Sequence, residues 1–113
     1  MKENLLAEKS KALAVDVINL CENIKGNGVL INQITKSATS IGANIREANY
    51  AQGKKDFISK LEIALKECYE TEYWLELLFE TKTIDEQTFK KYQQNAGSIK
   101  RMLIASVKTA KGG

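Results

Sequence analysis

Apolar residues recur along this chain in steps of three and four, the period of an amphipathic α-helix, over four separate segments. Leu6, Leu13, Val17, Leu20 and Ile24 keep to one stripe, which predicts a helix over about residues 4–25. Asn4 is placed to cap it and Lys25 to complement its C-terminal dipole. Leu30, Ile34, Ala38, Ile41, Ile45 and Ala48 predict a second helix over about 30–51. Gly42 lies four residues after Ala38, and this small-residue stripe points to close approach of a neighbouring helix. Phe57, Leu61, Ala64, Cys68, Thr71, Leu75 and Leu78 predict a third helix over about 54–81, with Asp56 favourable in its first turn. Tyr92, Ala96, Ile99, Leu103 and Ser106 predict a fourth over about 84–109. Thr83-Ile84-Asp85-Glu86 matches a capping box at its start. Gly97 marks a potential kink, and the tail from Lys108 is expected to fray.

Between these segments lie short polar breaks: Gly26-Asn27-Gly28, Gln52-Gly53-Lys54-Lys55, and the residues around Thr81–Thr83. The first lacks the ending of a phosphate-binding loop and reads as a turn. Four amphipathic helices with short connections predict an all-α, antiparallel up-down-up-down four-helix bundle in a single domain. Helix three carries a second apolar set, Ile58, Leu65, Tyr69, Tyr73 and Trp74, wider than one bundle seam needs. That width points to contact with a second subunit.

The 113 residues contain no proline and no histidine, and carry a formal net charge of +3. No apolar run is long enough to span a bilayer, and the start lacks the apolar core of a signal peptide, so a cytoplasmic location is expected. Cys21 and Cys68 occupy apolar positions and read as small buried hydrophobes. Without histidine the usual nucleophilic triads and the Glu-x-x-His di-iron motif are unavailable. Glu67, Glu70, Glu72, Glu76 and Glu80 read as a solvated or ion-paired face rather than a metal site. The reading is therefore non-enzymatic, with no metal and no cofactor.

Charge is unevenly placed. Residues 29–55 sum to +3, residues 56–81 to −5 and residues 82–113 to +5. Lys54 and Lys55 on a loop, with Lys90, Lys91, Lys100, Arg101, Lys108 and Lys111 on helix four, are the candidate phosphate contacts, since phosphate binding needs little more than positive charge. Ordinary solubilisation of a helix surface is the competing reading. Tyr50, Tyr69, Tyr73, Trp74 and Tyr92 could stack on bases, but their helical spacing fits core or interface better. Asn44, Arg46, Glu47 and Glu70 flank apolar stripes and could form one hydrogen-bonded network that fixes helix register.

Three stretches carry a resemblance: SIGANIREA (Ser40–Ala48), KKDFISKLEIALKE (Lys54–Glu67) and ETEYWLELL (Glu70–Leu78). Together they resemble the small bacterial four-helix-bundle proteins encoded by intervening sequences in 23S ribosomal RNA genes. The same superfamily includes the accessory variability determinant of diversity-generating retroelements. The resemblance covers about residues 5–108; one departure is Glu47-Ala48, where many members have Glu-Gly. It implies a homopentameric barrel with a central channel and no enzymatic activity. For the retroelement members it implies binding to RNA or DNA and to a reverse transcriptase through basic surfaces. The alternative is an adaptor that docks such a partner without touching nucleic acid itself.

Overall fold

The computed structural model describes residues 2–112, with side chains from residue 5 onward. Four helices follow in order: α1 (Lys2–Glu22), α2 (Gly28–Asn49), α3 (Lys54–Glu80) and α4 (Glu86–Gly112). Each packs on the next in sequence, and α4 closes back on α1, while among the described residues no Cα atoms of the diagonal pairs α1/α3 and α2/α4 come within 8 Å. The result is a rod of 45 × 20 × 20 Å. Cross-helix bonds fix its antiparallel sense. Between α2 and α3, Ser37 meets Thr71 and Glu47 meets Lys60; between α3 and α4, Glu62 meets Lys111 and Glu72 meets Lys100. In both seams one residue number rises as the other falls.

The predicted stripes form the core. Leu13, Val17, Ile34, Ile41, Ile45, Leu61, Leu75, Leu78, Ile99 and Leu103 are all buried to within 2% exposure, which leaves no doubt about which face each helix turns inward. Gly42 sits where α1 crosses: a Cβ there would meet Ser10 Oγ at 3.4 Å. The small-residue stripe thus sets the α1–α2 approach, as its spacing predicts.

Several boundaries differ from expectation, each for a local reason. α1 stops at Glu22 rather than Lys25, because the Asn23 and Ile24 amides turn back to the Leu20 and Cys21 carbonyls in a tight final turn. Gly26 (φ 86°) and Asn27 (φ 52°) then reverse the chain in the left-handed region. Asn4 lies within α1, not at its cap. The capping box is displaced as well. Asp85, not Thr83, caps α4: its Oδ1 accepts the Thr88 amide at 2.8 Å, and that bond holds its carboxyl below the usual range. Thr83 instead accepts a 2.6 Å bond from Asn27 Nδ2, tying the α1–α2 turn to the α3–α4 turn. α4 runs unbroken through Gly97, and the expected fraying from Lys108 does not occur before Gly112.

Candidate nucleic-acid interface

The eight cations named from sequence do not share one environment. Lys100 is held inward: its Nζ lies 3.0 Å from both Glu72 carboxylate oxygens and 5.2 Å from the Tyr69 ring centre. With the pair mostly shielded from solvent, its charge is spent on the α3–α4 seam. Lys90 pairs with Glu86 one turn back at 3.2 Å, but both are largely exposed, so the pair is weak. Lys91 is exposed beside Tyr92. Lys54, Lys55, Arg101 and Lys108 are exposed and make no ion pair among the described residues. Lys111, by contrast, reaches Glu62.

Helical geometry lines up part of this set. At 100° per residue, Lys90, Arg101 and Lys108 fall on one outward stripe of α4, over roughly 27 Å at 1.5 Å per residue. Lys54 and Lys55 begin α3 at the same end of the rod where α4 finishes. Arg46, near the end of α2, joins them there, exposed and unpaired among the described residues.

Folding turns the segmental charge pattern into a charge gradient along the rod. Consider a cut at mid-height, after Ala12, before Thr39, after Glu67 and before Ile99. The end holding the α2–α3 turn carries eleven Lys and Arg against five acids among residues 5–112, a net +6. The other end carries five Lys against eight acids, a net −3. Sequence reading located the basic segments but not their meeting, which needs the antiparallel return of α4 onto α3. An end of one sign attracts polyanions and raises their local concentration.

The polar network expected of Asn44, Arg46, Glu47 and Glu70 is not formed. Asn44 bonds back to the Ser40 carbonyl one turn earlier at 2.9 Å, Glu47 takes Lys60 at 3.1 Å, and Arg46 faces solvent. Glu70, on α3, makes no hydrogen bond or ion pair with any of the three among the described residues. The α2–α3 register is set instead by two hydroxyls inside the core. Thr71 Oγ1 lies 2.8 Å from Ser37 Oγ and 2.9 Å from the Glu67 carbonyl, with both residues buried. Thr71 stands in the apolar stripe of its own helix, and that was the available signal.

The aromatic residues divide. Tyr92 is core, and its hydroxyl donates to the Asp16 carbonyl at 2.9 Å, joining α4 to α1. Trp74 packs on the core edge, whereas Tyr50, Tyr69 and Tyr73 stand at least half exposed. Both cysteines are free and buried, and burial pushes the Cys68 thiol up to about 12. No group of three Cys, Asp or Glu is arranged to hold a metal ion among the described residues, and no helix there is long and apolar enough to cross a membrane.

The model of the 23S rRNA-intervening sequence protein family matches residues 2–105. The chain belongs to that family. A crystal structure of a protein of unknown function from the S23 ribosomal protein family of Bacteroides thetaiotaomicron superposes with a TM-score of 0.92 at 46% identity, covering 96% of this chain and 99% of that one. Family membership and this near-complete superposition establish the four-helix fold together. No curated protein matches the chain in sequence.

Proposed function

We propose that this family member is a non-enzymatic scaffold that contacts RNA or DNA through its basic end and self-associates to present several such ends together. The observation that supports it is the surplus of cations toward this end: Lys54, Lys55, Arg101 and Lys108 are exposed and make no ion pair among the described residues. Lys100 is removed from the contact set because Glu72 already holds it. Five copies in a ring, the number implied by the family resemblance, would multiply a modest charge per chain into a dense rim. Weak contacts gain by such multiplication when several engage one polyanion.

Binding of structured RNA and of duplex DNA, measured by anisotropy across a salt series, tests this reading. The scaffold reading expects affinity that falls steeply with salt, because every phosphate neutralised releases counterions. Absence of salt-sensitive binding to both ligands would leave the adaptor reading, in which a partner such as a reverse transcriptase alone touches nucleic acid.

A further inference from the structure

The helices do not close completely over the basic end of the rod. A cavity of about 450 Å³ opens there between the start of α1, the end of α2, the start of α3 and the end of α4. That volume lies in the range of small-molecule sites, about 300–1,000 Å³. None of Lys54, Lys55, Arg101 and Lys108 lines it, so the nucleic-acid reading leaves it unused.

Burial is graded through the cavity. Leu6 and Leu61 are buried and form its floor. Phe57 and Met102, half-buried, form walls, and the flexible thioether of Met102 can adapt to the shape of a guest. Asn49 and Thr109 are exposed at the rim. The interior is therefore apolar and the mouth polar.

Cations stand around that mouth. Lys54 precedes Phe57 by three residues and Leu61 by seven, so it shares their face of α3, one turn nearer the end of the rod. Arg46 precedes Asn49 by three on α2, and Lys108 adjoins Thr109 on α4. All three cations are exposed and make no ion pair among the described residues. Of the acids on these stretches of helix, Glu47 and Glu62 are already held by Lys60 and Lys111, which leaves Asp56 against the three.

An apolar hole ringed by unpaired cations complements a molecule with an apolar tail and one anionic head. We infer that the cavity binds a free fatty acid. Its acyl chain lies against Leu6, Phe57, Leu61 and Met102, and its carboxylate sits among Arg46, Lys54 and Lys108. Burial of the chain supplies the affinity, and the charge-assisted contacts of the head fix its direction. The site shares Lys54 and Lys108 with the nucleic-acid reading but does not depend on it, since a phosphate backbone has no tail to fill the cavity.

Titration calorimetry on the purified protein tests this with decanoate and decanol, each kept below the concentration at which it aggregates. Decanoate is expected to bind one to a chain. Decanol has the same chain without the charge and is expected to bind at least about tenfold more weakly. Ala110→Trp, which fills the cavity from the last turns of α4, is expected to abolish decanoate binding. Ser106→Leu fills the same wall more gently and is expected to weaken it, with circular dichroism confirming that each variant is helical. Arg46→Gln with Lys54→Gln is expected to weaken decanoate about tenfold and to leave decanol unchanged. Failure of the wild type to bind decanoate overturns the inference. Equal affinity for decanol overturns the role of the cations, and unchanged decanoate binding in a helical cavity-filled variant overturns the site. None of these results turns on whether the protein binds RNA.

Discussion

The two ends of the rod are built from the same four helices, yet one carries a net +6 and the other −3. At the acidic end, two acids act at the start of α4, where Asp85 caps the helix and Glu86 holds Lys90, and the others lie along α1 and α3. At the basic end, acids take some cations, Glu47 with Lys60 and Glu62 with Lys111, and leave a surplus. The difference teaches that net charge per chain is a poor guide to a bundle's partners. An antiparallel fold can gather cations from distant segments while the total stays near +3.

Abolishing the difference should have the largest effect. The variant Lys54→Glu, Lys55→Glu, Arg101→Glu and Lys108→Glu is expected to lose at least about 100-fold in RNA affinity at low salt, since it turns phosphate attraction into repulsion. Circular dichroism should remain unchanged, because all four side chains are exposed. Neutralising Glu76 and Glu80 at the other end should leave binding within a few-fold.

The mid-height seam between the ends should respond next. Glu72→Gln strips Lys100 of its carboxylate in a partly shielded site and is expected to cost about 1–2 kcal/mol in denaturant unfolding, between the surface and buried limits. Thr71→Val removes the hydroxyl that meets Ser37 and is expected to cost about 1 kcal/mol.

The smallest effect concerns Glu67, at the boundary of the two halves. Burial, and then the neighbouring Glu70 charge, raise its carboxyl pKa above the ordinary 4.5. A raised acid pKa means that the folded state binds the proton more tightly than the unfolded chain, so ionisation costs stability once pH exceeds the unfolded value. Glu67→Gln is therefore expected to stabilise the protein slightly at pH 7, because solvent around the partly exposed carboxyl screens much of the effect. Below the unfolded pKa that gain should vanish. Thermal midpoints at pH 7 and pH 4 would check the sign.

Much of the fold was legible because period-3/4 apolar stripes are a direct image of burial. Ile34, Ala38, Ile41, Ile45 and Ala48 were placed on one face by spacing alone, and all five are buried. The expectation at Thr83 failed because two capping solutions overlap there: Asp85 satisfies the first amides of α4, which frees Thr83 to bind Asn27 across the bundle. Such a long-range bond leaves no local trace. The candidate cations were legible as residues but not as a site. Whether Lys100 is free or taken depends on Glu72 lying 28 positions earlier on a different helix.

The most direct test of the basic end as a phosphate contact is the slope of log affinity against log salt for RNA, wild type against the four-residue variant. Four direct contacts per chain predict a wild-type slope on the order of −3, and more if several chains engage one RNA. At a slope of −3, affinity falls about 60-fold between 50 and 200 mM salt. The variant should flatten that slope toward zero. Equal slopes for the two proteins would place the phosphates elsewhere on the molecule and contradict the account.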